Sequence, residues 1–165
     1  MRTVSLSTLT EPASRLARRA LDLVLPPSCA GCGQDGSFVC STCESSLSRL
    51  ERPYCLRCAR PGYDRLCEWC AASSPAFDGV RAAYLFEGAA RRIVYSLKYS
   101  NIRASAPELG RLLAEYVAAN PLHGDVLVPV PLHGRRERER GYNQSDLLAR
   151  DLGKRTGLPV EAGLV

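Results

Sequence analysis

DVLVPVPLHGRRERERGYNQSDLLAR, residues 125–150, runs through three local patterns in succession. Asp125 to Pro131 is a short apolar run with valines in alternation, which predicts a buried strand. Leu132 to Tyr142 is polar, is dominated by Arg135, Arg136, Arg138 and Arg140, and is punctuated by Gly141, which predicts a loop. From Asn143 the pattern turns helical: Asn143 or Ser145 can cap the helix, and Asp146 opposes the positive end of its dipole. A strand feeding an arginine-rich loop and then a helix N-terminus suits an anion. First-turn N–H groups point at it and guanidinium groups neutralise it. Phosphate or pyrophosphate is the expected ligand. The alternative reading of RRERER is a solvated, salt-bridged helical turn, because Glu137 and Glu139 offset part of the arginine charge.

Downstream, the helix buries Leu147, Leu148 and Leu152 and closes near Thr156, with Gly157 as its C-cap and Pro159 beyond. Val160 to Val165 reads as the start of another strand. Upstream, Pro107 to Ala119 carries Leu109, Leu112, Leu113, Tyr116 and Val117 in one helical stripe, which is core rather than a cofactor box. Asn120 and Pro121 end it. His123 is a turn residue, and His133, inside the arginine loop, is either an anion contact or a structural loop histidine. Val80 to Phe86 predicts a strand and Ala90 to Tyr99 a helix with Ile93, Val94 and Leu97 inward. Lys98, near the end of that helix, is either a phosphate contact or a solvated lysine stabilising the helix C-terminus. Arg91 and Arg92 read as surface. Ala71 to Pro75 is a linker.

Before that linker the chain carries all eight of its cysteines in four C-x-x-C pairs: Cys29/Cys32, Cys40/Cys43, Cys55/Cys58 and Cys67/Cys70. Two residues between cysteines let both sulfurs of a tight turn reach one metal, and two such turns close a tetrahedral site. The short gaps within the first and last couples favour sequential pairing: Cys29, Cys32, Cys40 and Cys43 on one zinc, Cys55, Cys58, Cys67 and Cys70 on another. A cross-braced arrangement is the alternative. Four disulfides are the weaker reading, since no export signal accompanies the cysteines and repeated C-x-x-C pairs suit Zn2+. Neither site has an open position, so both zincs would be structural, supplying stability that so small a ribbon lacks. Trp69 and Phe38 read as ribbon core rather than stacking platforms for bases.

At 165 residues the chain holds one ordinary domain, or a metal-stapled module plus part of another. The formal charge of +5 is a weak signal. Two zinc–tetrathiolate centres would remove about four charges, so basicity gives no general case for nucleic acid. Met1 to Thr10 is Ser/Thr-rich; Thr10 then caps an amphipathic helix with Leu16, Ala17, Ala20, Leu21 and Val24 on one face, ended by Pro26 and Pro27. Asp22 interrupts what a secretory signal would need as an apolar core. No apolar run is long enough to span a bilayer, and the expected location is cytoplasmic.

From about Leu21 onward the chain resembles the ComF family, phosphoribosyltransferase-like proteins associated in many bacteria with competence for DNA uptake. VPVPLHGRRERERGYNQ and the preceding cysteine array carry the resemblance together. It favours the sequential double zinc ribbon. It implies the following layout: residues 1–27 a tail and amphipathic helix, 28–72 the double zinc ribbon, and 76–165 the N-terminal part of an α/β domain of the type I phosphoribosyltransferase fold, a parallel sheet with flanking helices. It implies that Arg135, Arg136, Arg140, Gly141, Tyr142, Asn143 and Gln144 receive the pyrophosphate of phosphoribosyl diphosphate, with Lys98 nearby and Mg2+ arriving with the ligand. The family's ribose-phosphate loop, an acidic pair followed by a Thr/Gly-rich turn, has no match in the sequence. The expectation is therefore a truncated fold, and a chain that gives no turnover alone. A second hypothesis makes the ribbon the working surface of a non-catalytic adaptor for single-stranded DNA or a competence-machinery protein. Arg49, Arg52, Arg57, Arg60 and Arg65 would face phosphates, though five acids balance them.

Overall fold

The computed structural model describes residues 26–100 and 102–162. The helix expected between Thr10 and Val24 lies outside the described residues. Two short helices begin at cysteine knuckles: α1 (Ser41–Ser45) follows Cys40, and α2 (Glu68–Ser73) follows Cys67. Then come α3 (Gly88–Tyr99), a 3-10 turn (Arg103–Ser105) running into α4 (Ala106–Ala119), α5 (Gly134–Arg140) and α6 (Gln144–Thr156).

The long helices form where periodicity and capping place them. In α3, Ile93 and Leu97 are buried and Val94 is half-buried, as the spacing requires. In α4, Pro107 sits in the first turn, where no intrahelical donor is needed, and Leu112 is buried with the rest of its stripe half-buried. α6 starts at Asn143, whose side chain accepts from the Ser145 N–H, and stops at Gly157 in the left-handed region, φ 78°. α4 packs on α6 through Gly110. A Cβ there would stand 2.0 Å from Asp151 Oδ2, so only glycine allows this approach. Leu147, Leu148 and Leu152 are half-buried rather than sealed.

The first ribbon is built into this body. Cys29, Val39 and Cys43 share one buried cluster with Ala89 and Ile93 of α3, and Leu47 and Leu109 pack against it. Arg92 Nε donates to the Gly31 carbonyl, and Arg111 of α4 reaches Glu44 of α1 at 2.5 Å. The second ribbon has its own small cluster of Cys55, Cys67 and Cys70 with Cys58 and Tyr63.

Four sequence expectations are corrected. Leu132 to Tyr142 is not a loop throughout, because Gly134–Arg140 is helical. The alternating signs place Arg135 and Glu139 one turn apart, 2.9 Å from each other, which supports a helix. Asp125 to Pro131 is not a buried strand. It makes one parallel bridge, Leu127 to Val160, and Val126, Val128 and Val130 are 43%, 55% and 71% exposed. Residues two apart share a strand edge, so Pro129 and Pro131 stand where the N–H groups continuing that bridge would have to be. Val80 to Phe86 is likewise reduced to an antiparallel bridge between Tyr84 and Arg49, whose own segment soon meets Pro53. Among the described residues, pairing therefore consists of isolated bridges and no named strand. Trp69 is not ribbon core: it is 50% exposed, and it is Tyr63 that packs against the buried sulfurs. Phe38 is half-buried.

Candidate functional site

Each C-x-x-C turn brings two sulfurs to one point, and a second turn at the mouth of a short helix brings two more. The sulfurs of Cys29, Cys32, Cys40 and Cys43 lie within 4.8 Å of one another, and so do those of Cys55, Cys58, Cys67 and Cys70. The pairing is sequential, and all eight thiols are free of disulfides. Gly31 lets the first turn close, since a Cβ there would be 2.6 Å from Cys43 Sγ. Backbone N–H groups of Gly31 and Cys40 donate to Cys29 Sγ at 3.4 and 3.3 Å, and Cys67 N–H donates to Cys55 Sγ at 3.3 Å.

These contacts set the acidity of the sulfurs. Burial opposes ionisation of Cys29, but the N–H groups of Cys40, Gly31 and Cys32 outweigh it and bring its thiol down to about 6. Cys55 is also brought down to about 6, the N–H groups of Cys58, Cys67 and Arg57 prevailing over burial. Burial, with hydrogen bonds among neighbouring sulfurs, pushes Cys43 and Cys70 up to about 12. Four crowded sulfurs cannot all ionise by themselves; a soft dication at their centre removes the conflict. The donor set and its N–H support fit structural Zn2+.

The second site lies where α3 ends against α5. Lys98 and Tyr99 from the last turn of α3, Arg136, Glu139 and Arg140 from α5, and Tyr142 line a cavity of about 370 Å³. Gly141, φ 73°, ends α5 in the left-handed region and turns the chain back, so that Tyr142 is buried and its hydroxyl donates to the Leu97 carbonyl. The Arg103 guanidinium lies 4.6 Å from the Tyr142 ring centroid. Burial pushes the Tyr142 phenol upward against the opposing pull of Arg103 and Arg140, so it remains a neutral donor. Arg140 stands 5.0 Å from the Tyr99 ring centroid while Nη1 donates to Gln144 Oε1 at 2.8 Å. Three cations thus converge with one carboxylate, Glu139, which already accepts from Arg135 Nε at 2.9 Å.

Of the residues expected to hold pyrophosphate, Lys98, Arg136, Arg140 and Tyr142 meet at the cavity, Gln144 holds Arg140, and Gly141 makes the turn. Arg135 is committed outward to Glu139, with its side chain 78% exposed. Asn143 caps α6 and donates to the Val130 carbonyl at 3.0 Å, so its task is local. His133 caps α5, its Nδ1 accepting from Arg135 N–H at 3.3 Å. Tyr99 and Glu139 line the cavity and escaped the sequence reading. Their signal was the one-turn spacing of Tyr99 from Tyr95 and of Glu139 from Arg135. No carboxylate cluster able to hold Mg2+ occurs among the described residues, where the grouped metal donors are the two cysteine quartets.

Residues 20–74 match the model of the double zinc ribbon domain. The chain is 32% identical over 123 residues to the DNA utilization protein YhgH of Escherichia coli, covering 70% of this chain and 54% of that protein. The similarity extends to ComF-type competence proteins. Competence protein F of Haemophilus influenzae is 28% identical over 130 residues, covering 73% of this chain and 55% of its own length. Competence protein ComFC of Bacillus subtilis is 27% identical over 133 residues, covering 74% and 54%. The chain spans about half the length of the curated proteins it matches. No solved structure gives a significant match. No helix among the described residues is long and apolar enough to cross a membrane.

Proposed function

We propose that this chain is the phosphate-gripping portion of a ComF-type, phosphoribosyltransferase-like protein, and that the Lys98–Arg136–Arg140 cavity receives the pyrophosphate group of phosphoribosyl diphosphate. The observation that supports this is the convergence of three cations, from two elements distant in sequence, on one cavity whose single carboxylate is already paired. Guanidinium and ammonium donors on a partly desolvated floor bind a multiply charged phosphate through charge-assisted hydrogen bonds. In this reading residues 28–72 are the double zinc ribbon and 76–165 the first part of the transferase-like domain, with its parallel sheet completed by chain of the kind the longer relatives have. Mg2+ would be carried by the ligand's own oxygens. Arg136 and Arg140 would grip the leaving pyrophosphate, and Tyr142 would fix the cavity floor. The role extends to DNA uptake, as the names of the relatives suggest.

Hydrogen exchange of the zinc-loaded chain with and without inorganic pyrophosphate tests the reading. Amides of residues 136–144 and of the C-terminal turn of α3 should gain protection. Unchanged exchange there at saturating pyrophosphate would sink it. The adaptor reading has one observation in its favour, the half-exposed Trp69 on the second ribbon. It would gain if Trp69→Ala abolished binding to single-stranded DNA.

A further inference from the structure

Between α3, α4 and α6 lies an apolar cleft of about 240 Å³. It is lined by Leu47, Leu85, Val94 of α3, Leu109 and Leu113 of α4, and Leu148 of α6, and all six are half-buried. None of the six lines the anion cavity. An apolar hole of about 150 Å³ accommodates a benzene molecule, so this one has room for roughly two side chains the size of leucine. The cleft opens from the core of the first ribbon: Ile93 and Leu109 line it, Ile93 shares a buried cluster with Cys29, and Leu109 packs against that cluster. Pro26 is three residues from Cys29, a reach of at most about 10 Å of chain. The joint is pinned, since the Pro27 carbonyl accepts from Gly36 N–H at 2.8 Å. Residues 10–24 lie outside the described residues, but their sequence suits the cleft. At helical spacing Leu16, Ala17, Ala20, Leu21 and Val24 fall on one side, and Arg15, Arg18, Arg19 and Asp22 on the other.

We propose that this cleft is the docking site of the chain's own residues 10–24, seated as a helix with Leu21 and Val24 inserted between α3, α4 and α6. A helix of about 15 residues is marginal alone in water, and the cleft supplies the apolar surface that its stripe needs. A short tether holds its occupant at an effective concentration on the order of millimolar. That favours this segment over a free apolar molecule or a second copy of the chain. Docked, the segment would brace α3, whose first half packs on the ribbon core and whose last turn lines the anion cavity. The inference does not depend on the pyrophosphate reading, and a chain that binds no pyrophosphate leaves it standing.

The test is limited trypsin digestion of the zinc-loaded full chain, read by mass spectrometry at Arg15, Arg18 and Arg19. Cleavage there should be slow in the wild type and about tenfold faster in Leu21→Asp and in Val24→Asp, because cleavage follows the population of the undocked form. Asp22→Asn, on the opposite face, should leave the rate unchanged. Ala90 also lines the cleft, so Ala90→Leu fills it from the α3 side and should release the segment to a similar degree. Hydrogen exchange at the amides of 93–97 and 147–152 should rise in Leu21→Asp, while zinc content stays at the wild-type value. Cleavage as fast in the wild type as in Leu21→Asp, or unchanged exchange around the cleft in that variant, would overturn the proposal. So would full protection retained in an Ala90→Leu chain that melts normally. Protection that fades on dilution would also overturn it, by assigning the cleft to a second copy of the chain.

Discussion

Arg140 has two neighbours to satisfy: its guanidinium lies over Tyr99 and one nitrogen donates to Gln144, while the same group faces the cavity. Such a side chain is held before ligand arrives, so little rotamer freedom is left to lose on binding. Arg140→Ala should therefore weaken pyrophosphate binding by about tenfold or more, measured by competition with a fluorescent phosphate ligand, with little change in melting temperature. Gly141 is a different kind of residue. Its φ of 73° disfavours any side chain, and a Cβ would stand 2.6 Å from Arg103 Nη2. Gly141→Ala should cost about 1–2 kcal/mol, read as a drop in thermal midpoint of several degrees. Both residues could be singled out from sequence, because glycine after a charged run and before Asn-Gln is a stop followed by a cap. The capping task of His133 was not legible, since it depends on a ring nitrogen meeting a particular amide.

At the scale of elements, α3 is the member that joins the two sites. Its first half packs on Cys29 and Cys43 through Ala89 and Ile93 and is tied to Gly31 by Arg92; its last turn supplies Lys98 and Tyr99. Among the described residues the second cysteine quartet packs with half-buried Tyr63 rather than with α3, and its ribbon is held through the Arg57 and Leu56 carbonyls, which accept from Val80 N–H and Arg81 Nη1. The two zinc sites should then be unequal. Cys43→Ser and Cys67→Ser should each lower zinc content by one ion per chain in elemental analysis, but only Cys43→Ser should also disable pyrophosphate binding. Comparable loss in both variants would contradict the asymmetry. α4 and α6 were legible because an unbroken stripe and strong caps leave one option. α5 follows the alternative reading of RRERER, a salt-bridged helical turn, rather than the loop, because the (i, i+4) Arg135–Glu139 spacing favours a helix. The run around Val128 failed for another reason: alternation fixes which residues share a face, but not whether that face is covered, and Pro129 with Pro131 limits pairing on one edge.

For the molecule as a whole, sulfur chemistry was the legible part, since C-x-x-C spacing constrains geometry locally. The convergence of Lys98 with Arg136 and Arg140 joins residues about forty positions apart, and only tertiary packing could establish it. The chain spans about half the length of the curated relatives it matches. The most direct measurement is calorimetric titration of inorganic pyrophosphate into the zinc-loaded chain and its Arg136→Ala/Arg140→Ala double variant. Saturable binding near one equivalent in the parent, absent from a double variant that melts normally, is the expected result. No heat in the parent, or the same affinity in both, would contradict the cavity's assignment as a pyrophosphate seat.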